Sequence, residues 1–168
     1  MIKVGDQLPD GTLYEFIENP EEGCTPGPTA VQVAKAVAGK TVAIFGLPGA
    51  FTPTCSVKHA PGYICQSEAF KALGVDEIWC VSVNDAFVMG AWGRELKAQG
   101  KVRFLGDGSA AWARATGLTL DLSEKGLGLR SGRYAMLVDN GKVALLNNEN
   151  GGGFSVSDAE TMLAQLGR

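Results

Sequence analysis

A cysteine stands at position 55 within the run Pro48-Gly-Ala-Phe-Thr-Pro-Thr-Cys-Ser-Val-Lys-His-Ala-Pro-Gly-Tyr-Ile64, where an apolar stretch hands over to a helical pattern. A thiol in the first turn of a helix faces backbone N–H donors with no intrahelical acceptor and lies at the positive end of the helix dipole. Both favour the thiolate, which is the nucleophilic form. Placement alone decides little, because a free cysteine is most often a small buried hydrophobe. The other soft or nucleophilic side chains are Cys24, Cys65, Cys80 and the single histidine, His59. Cys55 and Cys65 are the closest cysteines, and no C-x-x-C pair exists. A tetrahedral zinc site would need thiolates from scattered positions, so neither a metal nor a cofactor is expected.

The elements that must position Cys55 are short and alternate in type. Thr41-Val-Ala-Ile-Phe-Gly reads as a strand buried on both faces, and its end delivers the chain to Pro48–Thr54. A helix is expected over Cys55–Leu73, irregular near Pro61 because proline removes a ladder bond. Val75-Asp-Glu-Ile-Trp-Cys-Val-Ser-Val is the second central strand. Phe87–Gln99 has helical spacing, with Phe87, Trp92 and Leu96 on one stripe, Asn84 or Asp85 as cap and Gly100 as stop. Val102–Leu105 is a short strand, and Ser109–Gly117 a short helix opened by a serine cap. A looser segment follows to Gly128.

Tyr134–Asp139, Asn140-Gly141 and Lys142–Leu146 form the strongest hairpin signal, since Asn-Gly suits a type I′ turn. Gly151-Gly-Gly reads as a flexible loop, and a terminal amphipathic helix starts at Ser157. Near the amino terminus, a strand around Thr12–Phe16 and a short helix over Val31–Val37 are expected. This order predicts an α/β fold, a mixed central sheet with helices on both faces. The crossover through the helix of Cys55 places that residue at the carboxyl edge, where open α/β sheets commonly carry their chemistry.

The 168 residues fit one domain spanning the whole chain. A composition 45% hydrophobic and 20% charged, with a formal charge of -3, argues against nucleic acid or an anionic membrane surface as partner. No apolar run approaches the ~18 residues of a membrane span. Met1-Ile-Lys-Val-Gly-Asp lacks the basic start and apolar stretch of a secretory leader, so a cytoplasmic protein with reduced thiols is expected.

Pro48, Thr52 and Cys55 match Pro-x-x-x-Thr-x-x-Cys, and the string Gly-Leu-Pro-Gly-Ala-Phe-Thr-Pro-Thr-Cys-Ser resembles the peroxiredoxins, specifically the peroxiredoxin-5 or type II subfamily. The likeness continues through His59-Ala-Pro-Gly-Tyr, Val81-Ser-Val-Asn-Asp-Ala-Phe-Val-Met and Arg130-Ser-Gly-Arg-Tyr-Ala-Met. The resemblance implies a thioredoxin-like fold and a thiol peroxidase that reduces hydrogen peroxide and small organic hydroperoxides. Cys55 would be the peroxidatic thiol, becoming a sulfenic acid. Thr52 would aim its hydroxyl at the sulfur and the peroxide. Pro48 would shield the thiolate without adding a donor. The N–H groups of Thr54 and Cys55 would face the peroxide oxygens. The family also requires an arginine from a distant strand, and Arg133, just before Tyr134–Asp139, fits that place better than Arg130, which remains a candidate for the outer site. His59 invites the role of base to Cys55, but a thiolate already stabilised by arginine needs none, so packing or hydrogen bonding behind the site is expected.

The sulfenic acid must then be reduced. Animal-type relatives carry a resolving cysteine in a Gly-x-Thr-Cys-Ser context, where this chain has Val156. Plant and bacterial type II members carry a cysteine twenty-five positions after the peroxidatic one, as Cys80 does here. Cys80 sits within a central-strand pattern, so it is either a resolving thiol reached by local unfolding or a packed core residue. The leading alternative is an external thiol, glutathione with glutaredoxin, or thioredoxin. Cys24 and Cys65 are expected to be structural or surface thiols, and a homodimer is implied by the resemblance. Other classes are a redox sensor or chaperone-like protein without turnover, which the intact Thr52 and Arg133 argue against, and a disulfide reductase, which lacks the required dithiol.

Overall fold

Five of the six residues of Thr41–Gly46 (β3) are buried, and their side chains alternate between two cores, Ala43 and Phe45 on one face and Val42 and Ile44 on the other. Such a strand belongs inside a sheet covered on both sides. The computed structural model, which describes residues 1–17 and 27–167, places it there. The principal sheet runs Thr29–Gln32 (β2), Thr12–Glu15 (β1), Arg103–Gly106 (β5), Glu77–Ser82 (β4), β3, Tyr134–Asp139 (β8) and Lys142–Asn148 (β9). β3, β4 and β5 are mutually parallel, whereas β1 and β8 run antiparallel to their neighbours β5 and β3. The sheet is therefore mixed, as its element order predicts.

One face is covered by Ala60–Cys65 (α2), Ser67–Ala72 (α3), Ala86–Glu95 (α4) and Ala159–Leu166 (α6), which contribute Tyr63, Phe70, Trp92 and Met162 to the core. The other is covered by Val33–Val37 (α1) and Ala111–Thr116 (α5), through Val33, Val37 and Trp112. The hairpin forms as expected, with Asn140 and Gly141 at φ 47 and 81° between the paired Asp139 and Lys142. Its turn type matches the twist of the strands it joins.

Several boundaries differ for identifiable reasons. Residues 29–32 extend as β2 to pair with β1, so the expected helix from Val31 begins only at Val33. The single helix expected over Cys55–Leu73 is three pieces, a π-helix over Cys55–His59 followed by α2 and α3. Asp85, not Asn84, caps α4 through Val88 N–H, and Phe87 is exposed while the buried stripe is Ala86, Met89, Trp92 and Gly93. α5 opens on the Asp107 carboxylate, which accepts from Trp112 and Ala113 N–H, and not on Ser109. The segment before Gly128 is no loose connection, since Thr119–Leu122 (β6) and Gly128–Ser131 (β7) form a two-stranded sheet. Asp158 caps α6 by accepting from Thr161 N–H at 3.1 Å, one residue later than expected. Cys24 lies outside the described residues.

The β3–β8 register puts Gly46 opposite Tyr134. A Cβ at Gly46 would run into the Tyr134 ring and Ser131 Oγ, and that ring is itself buried. Gly46→Ala is expected to destabilise the fold by ~1–3 kcal/mol through overpacking. The measurement is a lower denaturant midpoint at unchanged slope; a midpoint equal to wild type would mean the ring has room to retreat.

Candidate active site

Antiparallel pairing of β3 and β8 decides which residues meet at the sheet edge. Because Gly46, the last residue of β3, faces Tyr134, the first of β8, Arg133 arrives at the end where β3 releases the chain toward Cys55. The Arg133 side chain is buried, and its guanidinium forks. Nη2 donates to Cys55 Sγ at 3.2 Å and Nη1 to His59 Nδ1 at 2.9 Å. Nε donates to Gly152 O at 3.3 Å, and the guanidinium carbon lies 5.9 Å from the centre of the Phe154 ring. The planar fork lets one permanently charged guanidinium fix two acceptors at once.

The local backbone explains why Cys55 and His59 are both within reach of that fork. Ala60 N–H bonds Cys55 O in the wide i→i−5 pattern, and the next residue, Pro61, has no N–H to offer. Residues four apart share one face of a helical turn, so Cys55 and His59 both present their acceptors to the fork. Both residues are fully buried. The irregularity expected near Pro61 is thus real, but it begins before the proline and includes the cysteine.

His59 is neutral here. Since Nδ1 accepts from Arg133, Nε2 carries the proton and donates to Ser157 O at 3.1 Å. Burial, and then the Arg133 charge, push its pKa down to about 3. Tyr63 Oη donates to the same carbonyl at 2.8 Å, and Phe45 stacks on Tyr63 at 4.2 Å. With its acceptor nitrogen occupied, His59 supports Arg133 and is no base for the thiol.

The remaining expected residues line the loop above the sulfur. Thr52 is half-buried, and its hydroxyl donates to Gly49 O at 2.7 Å, not toward the sulfur as the sequence reading has it. The turn over 49–52, closed also by Thr52 N–H, takes the hydroxyl proton and leaves the oxygen able to accept. Pro48 lies at the mouth of this loop, and its carbonyl accepts from Arg130 Nη1 at 3.3 Å, so Arg130 braces the loop from outside while Arg133 holds the sulfur. Asn84 braces it from below, with Oδ1 accepting from Ala50 N–H at 3.0 Å and Ser82 Oγ at 2.7 Å. Thr54 is the N-cap of the π-helix, so the N–H groups of Thr54 and Cys55 belong to the first turn, where helical acceptors are lacking. Cys80 is wholly buried at the centre of β4, between Phe45 of β3 and Phe104 of β5. Burial pushes its thiol pKa well up, and the neighbouring Cys55 pushes the same way. Cys65 is exposed at the end of α2.

Residues 3–163 match the protein-family model described as Redoxin. Over 165 residues, 98% of each chain, the sequence is 51% identical to Peroxiredoxin-2D of Arabidopsis thaliana. Among solved structures, reduced Prx3 of Vibrio vulnificus in complex with hydrogen peroxide is 48% identical, with a TM-score of 0.90 and coverage of 99% of both chains. A Burkholderia cenocepacia protein described as a candidate thioredoxin reductase is 62% identical, with a TM-score of 0.93 over 98% of this chain and 97% of that one. The chain is a peroxiredoxin.

The peroxiredoxin assignment carries the thioredoxin-like fold and thiol peroxidase activity with it. Type II membership agrees with the plant Peroxiredoxin-2 relatives. Sequence reasoning missed the parts of the site that are main chain or far away: the carbonyls of Gly151, Gly152 and Ser157, the Phe154 ring, and Asn84 beneath the loop. Gly151-Gly-Gly reads as flexible from composition, yet Arg133 N–H is held by Gly151 O at 2.9 Å. A carbonyl acceptor has no residue-type signature.

His59 makes stability pH-dependent with a definite sign. Its folded pKa of about 3 lies below the ordinary value of 6.5, so the unfolded chain takes the proton first and stability falls as pH falls from 6.5 toward 3. The slope is about 1.4 kcal/mol per pH unit once below pH ~6. Chemical denaturation at pH 6.5 and pH 5 is expected to show a loss of about 1.5 kcal/mol in wild type and a flatter response in His59→Asn; equal slopes would mean that His59 titrates normally.

Proposed function

We propose that this peroxiredoxin reduces hydrogen peroxide and small organic hydroperoxides at Cys55 and is regenerated by an external thiol, glutathione with glutaredoxin, or thioredoxin. The observation that carries the reading is the Arg133 guanidinium, buried and donating to Cys55 Sγ at 3.2 Å. The Cys55 thiolate attacks the terminal oxygen of the hydroperoxide. The new S–O bond forms as the O–O bond breaks, its electron pair leaves on the distal oxygen, and that alkoxide or hydroxide takes a proton from water. Cys55 is left as the sulfenic acid.

Each neighbour has a task matched to its bonds. Thr52 Oγ1, its proton committed to Gly49 O, accepts the hydroperoxide O–H and so orients the terminal oxygen toward the sulfur. The N–H groups of Thr54 and Cys55, together with Arg133, face the charge that builds on the leaving oxygen. Pro48 closes the loop over the sulfur and adds no competing donor.

Regeneration by an external thiol is supported by the contrast between the two buried cysteines. Cys55 lies in a π-helix bounded by Pro61, whereas Cys80 lies in the middle of a seven-stranded sheet. Loosening the first breaks one turn; uncovering the second unseats β4 from both neighbours. A soluble thiol attacks the opened sulfenic acid, releasing water and leaving a mixed disulfide, and a second thiol displaces Cys55 as thiolate. The reading includes a homodimer in a reducing compartment, the cytoplasm by default, with exposed Phe51 and Phe87 near the site as apolar surface for a second copy to cover.

Cys55→Ser is expected to abolish peroxide consumption, and Arg133→Lys to slow sulfenate formation on the order of 100-fold or more by losing the planar fork. Cys80→Ala is expected to retain turnover with external thiol. Intact mass after one equivalent of peroxide and then glutathione decides the second half: an added glutathione supports external resolution, and a loss of two hydrogens that Cys80→Ala abolishes assigns the role to Cys80. Turnover surviving Cys55→Ser would overturn the whole reading.

A further inference from the structure

The loop between β9 and α6 supplies more of the site than its glycines suggest. Gly151 O and Gly152 O accept from Arg133 N–H and Nε, the Phe154 ring lies against both Arg133 and His59, and Ser157 O accepts from His59 and Tyr63. Three consecutive glycines impose no such conformation, because glycine has the largest backbone freedom to lose. The constraint comes from Glu149. Its Oε2 accepts the N–H groups of Ser155, Val156 and Ser157 at 2.8, 2.9 and 2.9 Å and the Ser157 hydroxyl at 2.8 Å. Its Oε1 accepts the Ser155 hydroxyl at 2.9 Å, and its own N–H donates to Arg133 O at 3.0 Å.

Bonds to an ionised carboxylate are roughly twice as strong as neutral ones. Burial works to raise the Glu149 pKa, but the donors of Val156, Ser155 and Ser157 outweigh it and bring it down to about 2. Glu149 is therefore charged at any working pH. The loop it ties ends on Ser157, whose carbonyl holds His59, whose other nitrogen holds Arg133. Glu149 itself touches neither sulfur nor peroxide.

We propose that Glu149 is a positioning residue for the attack on peroxide: by closing residues 149–157 into one conformation it fixes Gly152, Phe154 and the Ser157–His59 pair, and these hold the Arg133 fork on Cys55. The proposal rests on the role given to Arg133 above. A carboxylate that merely staples a surface loop would leave the chemistry alone; one that aims Arg133 acts only through it. Misplacing a catalytic group by about 1 Å costs up to 100-fold in rate.

The test is a double-mutant cycle on the second-order rate of Cys55 oxidation by hydrogen peroxide, using wild type, Glu149→Ala, Arg133→Lys and the double variant. Glu149→Ala is expected to slow wild type on the order of 10- to 100-fold, and to cost less than about 3-fold in the Arg133→Lys background. The rate profile between about pH 5 and 8 gives a second readout. His59 faces the charges of Arg133, Glu149 and Asp158 and stays neutral throughout that range in wild type. In Glu149→Ala the freed loop admits water to His59, so protonation returns toward ~6.5 and the rate falls on the acid side. Should the alanine variant not fold, Glu149→Gln enters the same cycle, as it keeps the size and removes the charge. An undiminished rate in the Glu149 variant, or equal fold losses in the two backgrounds, overturns the proposal. An Arg133→Lys single variant at wild-type rate would instead overturn the role given to Arg133.

Discussion

A guanidinium buried at the edge of the sheet is the constraint from which the site follows. A cation removed from water must find acceptors for its donors and, where possible, an opposing charge. Arg133 finds a sulfur, an imidazole nitrogen, a main-chain carbonyl and an aromatic face, none of them a carboxylate. The only member of that set able to become an anion is Cys55. The guanidinium and the Cys55 sulfur are thus each other's partner, and removing the sulfur leaves a donor of the buried cation without an acceptor. The same logic makes a neutral His59 necessary, since a second cation against Arg133 would repel it.

Geometry reaches this pairing by two independent routes. The first is the antiparallel β3–β8 register, which aligns Gly46 with Tyr134 and so carries Arg133 to the chain's exit from β3. A slip of one residue would turn Arg133 to the opposite face. The second is the helical turn at Cys55–His59, which sets two residues four apart on one face. A sheet register and a helical turn that share no backbone converge on one side chain.

The sequence was most legible where a side chain announces its own role. Cys55, Thr52, Pro48 and Arg133 are side chains with particular chemistry, and β3, β4 and the Asn140-Gly141 hairpin carry strong periodic or turn signals. It was least legible where partners are main chain or where tertiary pairing overrides a local pattern. Residues 29–32 became a strand because β1 offered pairing, and residues 119–131 became a small sheet although nothing in their pattern required it. The Thr52 hydroxyl was misjudged because the competing acceptor, Gly49 O, is a backbone atom created by the turn itself. The glycine-rich loop was misread for the same reason, since its order is imposed by a carboxylate outside it.

The distribution of rigidity also bears on how the catalytic cycle divides. Everything that aims Arg133, the sheet edge, the Glu149-tied loop and the Phe45–Tyr63–His59 stack, is densely hydrogen-bonded or closely packed. What holds Cys55 from the other side is a π-helix one turn long, next to an exposed Phe51 at φ 63° and a proline that contributes no N–H. Strain and a missing ladder bond weaken that turn relative to a regular helix. With the turn as it stands, the sulfur meets the guanidinium fork. A sulfur with no exposed surface meets neither a peroxide nor a second thiol until the turn or the loop above it gives way. The densely bonded side of the site carries the guanidinium, and the irregular one-turn helix carries the sulfur.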